Sequence, residues 1–393
     1  MSSLAPRARI LCISLSHIVS DARVLRQISL LAEFGDVTTI GYGPAPADAT
    51  EHIIVPDHLK TLPQSPTGVI KLALRRLSAA ELAAPAIQWS LRALEGHEFD
   101  LVVANEARVL ALADRVAQGA PVWADMHEWA PEERTHILSW RLLVAPLMTH
   151  LCARYLPQAA VVTTVAENIA DLYRERFGVT CVLMRNAGPW RNLAVTPLEE
   201  DRIRLVHSGM AVHGRRLELM IDAMRRLDDR YTLDLYLVGA GDGGAYLQEL
   251  KQSAADDPRI IFQEPVAPAL LPDALNEYDV GVFWIPPTHT NARFALPNKF
   301  FDFVQARLAI AVGPSIEMAT LLERYSLGVV SAGFDVEDCV ASLESLDPTA
   351  ILAAKNASDA ASKELSFEHE ATVAREFLRR VLGVAEIESS GQA

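Results

Sequence analysis

The chain has 393 residues, half of them apolar, which is long for one hydrophobic core and suggests two or three domains. Its formal net charge of −14 argues against the broad basic face that binding to a nucleic-acid backbone requires, whereas a single phosphorylated ligand needs only one or two placed cations. The four cysteines are far apart in sequence and indicate neither a zinc site nor a disulfide framework, so a reducing cytoplasm is expected.

Short apolar runs that alternate with helical patterns predict an α/β protein with two sheets in series. In the first half the predicted strands are RILCISL, DVTTIGY, HIIVP, FDLVVAN, PVWAD, AAVVTTV and TCVLM. In the second half they are IRLVHSG, YTLDLYLVG, RIIFQE, DVGVFWI, LAIAVG and LGVVSA. These runs are almost wholly apolar rather than alternating, as expected of parallel strands that are covered on both faces.

The strand pattern breaks at RNAGPWRNLAVTPLEEDR, where a glycine, two prolines and several acidic residues precede a new strand. This composition predicts an interdomain linker. The predicted division is an N-terminal domain at 1–187, the linker at 188–202, a C-terminal domain at 203–365, a final helix at 366–385 and a disordered tail at 386–393.

Residues 66–96 form an apolar helical pattern that also carries Lys71, Arg75, Arg76 and Arg92. The pattern is typical of an amphipathic surface helix, and contact with a membrane or a lipid-linked acceptor is the alternative. No run reaches the roughly 18 uninterrupted apolar residues of a membrane span, and the first residues show no long apolar leader. We therefore expect a soluble cytoplasmic protein, with peripheral attachment at the inner face of the membrane as the alternative.

The stretch YLVGAGDGGAYLQELKQ, residues 236–252, places Gly239, Gly241 and Gly244 in a G-x-G-x-x-G pattern after a predicted strand. With Glu264 about twenty residues further on, it matches a dinucleotide fingerprint and would indicate an NAD-dependent oxidoreductase. However, the motif follows the second strand of its domain, and a dinucleotide site usually uses the first. The glycines could equally let a helix start close to its strand without any ligand.

A second candidate for phosphate binding lies in the same domain. The strand IRLVHSG ends in Ser208 and Gly209, and Arg215 stands at the entrance of the next predicted helix. Further on, ALPNKFFDFVQA places Asn298 and Lys299 in the first turn of a helix, where a cation is disfavoured by the helix dipole. A bound anion would remove that conflict.

If these helix N-termini, Arg215 and Lys299 converge, they form a clamp for a diphosphate, in which backbone N–H groups and two cations face the phosphate oxygens. Each charge-assisted hydrogen bond would contribute on the order of 1.5 to 3 kcal/mol. The alternative is that both side chains are simply solvated cations.

Taken together, these motifs resemble the retaining glycosyltransferases of the family-4 type, whose GT-B architecture has two Rossmann-like domains with parallel sheets facing a central cleft. The resemblance covers nearly the whole chain, beginning at ILCISLSHIVSDARVLRQISLLAEFGDVTTIG, where Asp21 and Arg23 stand in a D-x-R-V pattern. It is strongest in VHSGMAVHGRRLELMIDA, LYLVGAGDGGAYLQEL, YDVGVFWIPP and LPNKFFDFVQARLAIAVG. Such transferases carry a VGxG turn at the position of Gly239, so this turn need not bind NAD.

The resemblance implies roles for individual residues of the C-terminal domain. A basic residue after its first strand and a lysine downstream bind the donor diphosphate in the family, and these roles fall on Arg215 and Lys299. An acidic residue after the lysine holds the nucleotide ribose, and here it is Asp302. The other residues predicted to bind the donor are Ser208, Gly209, Asn298 and Gly239.

One departure from the family concerns the donor sugar. The family has two glutamates separated by seven residues, whereas this chain has Phe294 at the first position and Asp302 at the second. We expect Asn291 or Arg293 to substitute for the missing contact.

In the N-terminal domain, ADMHEW places Asp125, His127 and Glu128 at the end of a strand, where α/β sheets collect ligands. His127 resembles the active-site histidine of the family and is predicted to be catalytic, with Asp125 or Glu128 orienting it or contacting acceptor hydroxyls. His17 and Asp21, in the first loop, complete the predicted acceptor side. The alternative is that these residues are structural or solvated.

The resemblance implies that the final helix at 366–385 crosses back to the N-terminal domain. It also implies transfer of a sugar from a nucleotide-diphosphate donor to a hydroxyl of a glycan, lipid-linked or small-molecule acceptor, with retention of configuration. No D-x-D motif occurs, so no metal is expected, and nucleic acid is not an expected partner. The alternatives are a nucleotide-sugar epimerase of the same fold, the NAD-dependent oxidoreductase and a catalytically weak binding subunit. The sequence does not define the oligomeric state.

Overall fold

The computed structural model describes residues 7–383, and these divide into two α/β units. The first unit comprises the described residues up to Arg185 together with those from Ala371 onward, and the second comprises Asn186–Glu370. The predicted tail at 386–393 lies outside the described residues.

The first unit contains a seven-stranded parallel sheet with the order β3-β2-β1-β4-β5-β6-β7 over the described residues. Its strands are β1 Ala8–His17, β2 Gly35–Tyr42, β3 Glu51–Ile54, β4 Leu101–Asn105, β5 Val122–Met126, β6 Val161–Thr164 and β7 Val182–Leu183. The central strands β1 and β4 are buried on both faces, as their uninterrupted apolar runs predict.

Helices cover this sheet. They are α1 Ala22–Ala32, α2 Pro66–Ala73, α3 Leu77–Ala80, α4 Pro85–Ala93, α5 Leu110–Ala117, α6 Ala145–Tyr155 and α7 Glu167–Phe177. None of the helices in the described part of the chain combines the length and the apolar character that crossing a bilayer requires.

Residues 66–96 are not one continuous amphipathic helix, so that prediction was wrong. The segment forms the three short helices α2, α3 and α4. The break after α2 coincides with Arg75, whose φ of 55° is left-handed, and α4 starts afresh with Pro85 at its first turn. A proline disfavours helical geometry in the residue before it, so the chain cannot run through this point as a helix.

The second unit contains a six-stranded parallel sheet with the order β10-β9-β8-β11-β12-β13, again over the described residues. The strands are β8 Ile203–Ala211, β9 Tyr231–Gly239, β10 Ile260–Gln263, β11 Val280–Phe283, β12 Ala309–Val312 and β13 Gly328–Val330. Its core includes Leu205, Leu233, Val280 and Ala309, each at most 2% exposed. All thirteen strands predicted from the sequence are thereby confirmed.

The helices of the second unit begin after each strand. They are α8 Glu218–Met224, α9 Ala245–Ser253, α10 Leu271–Leu275, α11 Thr290–Arg293, α12 Asn298–Gln305, α13 Ile316–Tyr325, α14 Val336–Glu344 and α15 Pro348–Ala361. The last helix, α16 Phe367–Leu382, belongs to the first unit from Ala371 onward, where Phe377 packs edge-on against Trp123 at 4.8 Å between ring centroids.

The strand order reverses once in each sheet, beside its first strand. The reversal lies between β1 and β4 in the first unit and between β8 and β11 in the second. Ligands of open α/β sheets bind outside the carboxyl ends of the strands at such reversals. Arg215 follows β8 and Lys299 follows β11, whereas Gly239 ends β9, one strand away.

Candidate functional site

Lys299 lies in the first turn of α12, and its side chain is directed into the end of the sheet of the second unit. Nζ donates to the backbone oxygen of Ser208 at 2.6 Å and to Nε2 of His207 at 3.2 Å. It also lies 4.2 Å from the centroid of the Phe283 ring, which supplies a cation–π contact. The residue is only 7% exposed, so this ammonium group is held rather than solvated.

His207 holds Lys299 in position through a hydrogen bond and was not predicted from the sequence. Its Nδ1–H donates to the backbone oxygen of Val282 at 2.8 Å, which leaves Nε2 free to accept a hydrogen bond from Lys299. Burial and the charge of Lys299 hold the pKa of His207 well below its ordinary value, so the ring is neutral. Its position directly before Ser208 in a buried strand was the signal that could have identified it.

Gly209 is the point on which the two predicted cations converge. Its φ is 133°, and a Cβ atom placed on it would lie 2.8 Å from Nζ of Lys299 and 3.6 Å from Nη1 of Arg215. Both cationic groups therefore lie beside the backbone of Gly209, near the end of β8. The structure thus brings together Arg215, Lys299, Ser208 and Gly209 at one end of the sheet.

Within the described residues, Asp302 is the carboxylate that acts on Lys299, and Arg215 has no carboxylate partner. Arg215 donates to the backbone oxygen of Met210 at 3.2 Å and makes no ion pair with a carboxylate among residues 7–383. Burial lowers the pKa of Arg215, and burial together with Arg215 holds the pKa of Lys299 well below its ordinary value of 10.5. Asp302, about one helical turn after Lys299, partly offsets this effect. A dianionic ligand would relieve the repulsion between the cations.

Three buried polar atoms without a hydrogen-bond partner in the described structure lie at the same edge. They are Ser208 Oγ in the last half of β8, Trp284 Nε1 directly after β11 and Ser315 Oγ between β12 and α13. Each residue is at most 2% exposed. Buried polar groups are almost always paired, so this edge is built to receive further polar atoms from water or a ligand.

The glycine-rich turn after β9 is accounted for by its own geometry. A Cβ atom on Gly239 would lie 3.2 Å from Cα of Gly244, and Gly243 and Gly244 have φ values of 73° and 81°. The carboxylate of Asp242 accepts the N–H groups of Gly244 and Tyr246 at 2.8 and 3.2 Å. Asp242 therefore occupies the helix N-terminus where the dinucleotide interpretation would place a pyrophosphate.

The residues predicted around the donor sugar lie in the short helix α11 and at the start of α12. Asn291 and Arg293 belong to α11, and the guanidinium of Arg293 lies 5.3 Å from the ring centroid of Phe294. The ring of Phe294 therefore packs against the guanidinium of Arg293. Asn298 is the first residue of α12, directly before Lys299.

In the first unit Asp125 is fully buried and fully paired. It accepts two hydrogen bonds from Arg23, at 2.9 and 2.6 Å, and one from Thr163 Oγ1 at 2.6 Å. Burial alone would raise the pKa of Asp125, but the charges of Arg23 and His127 hold it well below its ordinary range. At 0% exposed, this carboxylate can orient His127 but cannot contact an acceptor, which removes one of its two predicted roles.

His127 lies between two carboxylates. Nε2 is 3.2 Å from Oδ2 of Asp125, and Nδ1 is 3.2 Å from Oε1 of Glu106. Burial alone would lower the pKa of His127, but these two acids raise it to about 10. The ring is therefore an imidazolium at neutral pH and cannot act as a general base there.

Glu106 was not identified from the sequence. It directly follows β4, just as His127 directly follows β5. Its φ of 78° is rare for a residue other than glycine and costs about 1 to 3 kcal/mol. That conformation delivers its carboxylate to Nδ1 of His127. Glu106 could have been identified as ADMHEW was, from its place at the carboxyl end of a strand.

Glu106, Glu128 and Glu133 form a group whose carboxylate oxygens lie within 4.8 Å of one another, which is an arrangement that could hold a metal ion. However, Arg108 donates to both oxygens of Glu133 at 2.9 Å, and His127 already pairs with Glu106. Burial and these neighbouring acids raise the pKa of Glu128 to about 8, so its carboxyl group is mostly protonated at neutral pH. The cations of the cluster thus already offset its acids.

The two residues of the first loop have different environments. Asp21 caps the N-terminus of α1, where its Oδ1 accepts the N–H of Val24 at 3.2 Å. His17 is exposed, and its ring centroid lies 5.8 Å from that of Tyr42. Asp21 therefore has a structural role, and His17 remains accessible.

Comparison with known proteins shows the fold. The sequence matches no family model and no curated protein. The structure is similar to HepE from Anabaena in complex with UDP and glucose, at 14% identity and a TM-score of 0.67 over 95% of this chain and 100% of that one. It is also similar to sucrose-phosphate synthase from Thermosynechococcus elongatus, at 13% identity and a TM-score of 0.67 over 96% and 100% of the two chains.

A third similar structure is the α,α-trehalose-phosphate synthase (UDP-forming) from Burkholderia vietnamiensis, at 11% identity and a TM-score of 0.65 over 95% of this chain and 100% of that one. At such identities the similarity establishes the fold and not the substrates. The predicted fold class is confirmed: this chain has the two parallel-sheet, Rossmann-like units of the GT-B glycosyltransferases.

Proposed function

We propose that this protein is a glycosyltransferase that moves a sugar from a nucleotide-diphosphate donor to a hydroxyl group of an acceptor. The observation that carries the proposal is the convergence of Lys299 and Arg215 on Gly209, at the strand reversal of the second unit, without a balancing carboxylate on Arg215 in the described chain. Two held cations at this point match the charge of a diphosphate.

In the proposed reaction the bond between the sugar C1 and the diphosphate oxygen breaks, and its electron pair stays on the diphosphate. Negative charge therefore develops beside Lys299 and Arg215. A preorganised pair of cations stabilises that charge more than it stabilises the bound donor, which lowers the barrier. The acceptor oxygen forms the new bond to C1, and its proton passes to a departing phosphate oxygen, with retention of configuration.

The other proposed donor contacts are assigned from the positions of residues in the second unit. Asp302 is proposed to hold the ribose, while Asn298, Ser208, Gly209 and Gly239 line the nucleotide. Asn291 and Arg293 of α11 are proposed to contact the sugar. Since HepE binds UDP and UDP-glucose, a uridine nucleotide is the first donor to test.

On the first unit, His127 is proposed to act as a fixed cation, with Asp125 and Glu106 holding its ring. Glu128, whose raised pKa keeps it protonated, is proposed to donate a hydrogen bond to an acceptor hydroxyl. His17 is the remaining acceptor-side candidate. No metal is proposed, because two protein cations, Arg108 and His127, already pair with carboxylates of the acidic cluster.

The direct test is release of nucleoside diphosphate from UDP-glucose in the presence and absence of candidate hydroxyl acceptors, with and without EDTA. Acceptor-dependent release that EDTA leaves unchanged supports a metal-independent transferase. Lys299→Ala should reduce kcat by about 100-fold or more, by analogy with loss of one oxyanion-stabilising donor. Conversion of the donor sugar without any acceptor would instead indicate the epimerase.

Contact with a membrane is a further part of the proposal. Exposed apolar side chains cluster on α2 and on the segment 137–142, which meet where Nη1 of Arg75 donates to the backbone oxygen of Leu142 at 2.6 Å. The exposed residues are Val69, Ile70, Leu74, Ile137, Leu138 and Leu142. Segments 66–80 and 134–144 contain five Lys and Arg residues and no Asp or Glu, although the whole chain has a net charge of −14. This combination suits an anionic bilayer surface.

Co-sedimentation with vesicles tests this contact. Wild-type protein should bind phosphatidylcholine vesicles that contain phosphatidylglycerol, and binding should weaken with salt. The double variant Ile70→Glu plus Leu138→Glu should lose binding. Ile54→Glu is the matched control, since Ile54 and Ile70 are both 56% exposed. Dimerisation through the same surface without vesicle binding would overturn the membrane contact.

A further inference from the structure

Arg215 lies in a short turn that contributes no buried side chain of its own. The turn is a single 3-10 turn at His213–Arg215, followed by Arg216 in a left-handed conformation with φ 50°. Non-glycine residues adopt this conformation at a cost unless their surroundings impose it. The position of the Arg215 guanidinium therefore depends on contacts from outside the turn.

Tyr246, at the start of α9, supplies contacts at both ends of this turn. Its ring centroid lies 4.1 Å from that of His213. Its hydroxyl accepts the backbone N–H of Leu217 at 2.9 Å and donates to the carboxylate of Glu218. The side chain is buried at 4% exposed, so segment 213–217 is fixed before and after Arg215 by one rigid aromatic residue.

The glycine-rich turn explains why Tyr246 reaches this place. Close packing of Gly239 against Gly244 folds the chain back immediately after β9. Asp242 then accepts the N–H of Tyr246 at 3.2 Å, which starts α9 beside the Arg215 turn. The geometry of the G-x-G-x-x-G turn thus places Tyr246 beside the Arg215 turn without requiring a bound nucleotide.

We propose that Tyr246 is a positioning residue that acts through Arg215: by holding His213 and Leu217, it keeps the guanidinium beside Gly209 and Lys299 for an anionic diphosphate. This inference rests on the proposed function, because the diphosphate is the ligand that Arg215 would meet. It assigns to the glycine-rich turn the role of a support for the diphosphate clamp.

The test is a double-mutant cycle measured as the Kd for UDP by isothermal titration calorimetry. Tyr246→Phe keeps the ring contact with His213 and removes the hydrogen bonds to Leu217 and Glu218. We expect it to weaken UDP binding by about three- to tenfold, as loss of a hydrogen bond that orders one cation would do. In an Arg215→Ala background the same substitution should have no further effect.

Tyr278→Phe is the matched control, since Tyr278 is a buried tyrosine of the same unit whose hydroxyl bonds to Asp234 at 2.7 Å, away from the Arg215 turn. It should lower the melting temperature without changing the Kd for UDP. Steady-state kinetics give a second readout, in which Tyr246→Phe should lower kcat/KM for the donor and Arg215→Ala should abolish that difference.

Equal affinity of wild type and Tyr246→Phe for UDP would overturn the positioning role. Additive effects of Tyr246→Phe and Arg215→Ala would overturn it as well, because they would show that Tyr246 does not act through Arg215. Failure of the wild-type protein to bind any nucleoside diphosphate would contradict the proposed function itself, so the two failures are distinguishable.

Discussion

Gly209 cannot carry a side chain without a change at the candidate donor site, because its conformation is strained for other residues and a Cβ atom would displace Lys299. Its φ of 133° is one that residues with a Cβ rarely adopt, and that Cβ would lie 2.8 Å from Nζ of Lys299. The closeness of Lys299 to the backbone is thus possible only with glycine at this position.

Gly209→Ala should therefore displace Lys299 and weaken UDP binding by about tenfold or more, with a loss of stability of about 1 to 3 kcal/mol from backbone strain. Calorimetry and chemical denaturation measure the two effects. Gly241→Ala is the control, because no atom lies within 4 Å of a Cβ placed on Gly241. Equal binding by Gly209→Ala and wild type would contradict this account of the site.

Lys299 links ligand binding to pH. Burial and Arg215 hold its pKa well below 10.5 in the free protein. Between that lowered pKa and 10.5 the unfolded chain binds more protons than the folded one, so the stability of the free protein should rise with pH across this window. A bound diphosphate would raise the pKa again, and binding should then take up protons and weaken as pH rises.

Titration calorimetry of UDP in buffers of different ionisation enthalpy measures this proton uptake. At a pH above the lowered pKa of Lys299, where part of the free protein has lost that proton, we expect net uptake in wild type and none in Lys299→Arg, since a guanidinium stays protonated throughout. Lys363→Arg is the control, because Lys363 is an exposed lysine beside Trp190. Binding enthalpies that do not depend on the buffer would refute the linkage.

At the residue scale, the sequence indicated the candidate site residues but not the buried residues that hold them in place. Lys299 was identified because a cation in a first helical turn is unusual, and Arg215 because it stands at the entrance of the helix after the first strand of its domain. His207 and Glu106 were missed because their importance depends on contacts between neighbouring strands. Such contacts depend on the spatial order and register of the strands, which a single sequence does not state.

At the element scale, mainly apolar runs located the strands, and most directly the central strands such as β1 and β4, which are buried on both faces and have no polar alternation. Helices were harder to predict. Over residues 66–96 the apolar pattern continues through Arg75 and Pro85, yet the backbone breaks at both places. Local backbone geometry therefore overrode the periodicity of the side chains.

The helix α16 allows a prediction at this scale, since it is distant in sequence from the unit on which it packs. Phe377 is 4% exposed and contacts Trp123 of β5. Phe377→Ala should lower the free energy of unfolding by about 3 to 5 kcal/mol, as truncation of a buried aromatic does. Chemical denaturation measures this, with Leu352→Ala as the control because Leu352 is 42% exposed. A change no larger than that of the control would contradict packing of α16 on the first unit.

At the scale of the whole molecule, each unit has its own parallel sheet and core, and each collects charged residues at the carboxyl ends of its strands. The first unit holds a balanced cluster around His127, whereas in the second unit two cations lie beside Gly209 and Arg215 makes no ion pair within residues 7–383. This difference is the reason for proposing the anionic ligand at the second unit. The net charge of −14 argues against a broad basic surface, but a chain with this charge can still bind one diphosphate with two cations.

Thermal unfolding in the presence of UDP, GDP, ADP or NAD tests the central claim most directly, with wild type compared with the double variant Arg215→Ala plus Lys299→Ala. A ligand at 100 times its Kd stabilises the folded state by about 2.7 kcal/mol. The account predicts a raised melting temperature with one nucleoside diphosphate, lost in the double variant, and no shift with NAD. A shift with NAD alone, retained in the double variant, would contradict it and return attention to the turn at Gly239.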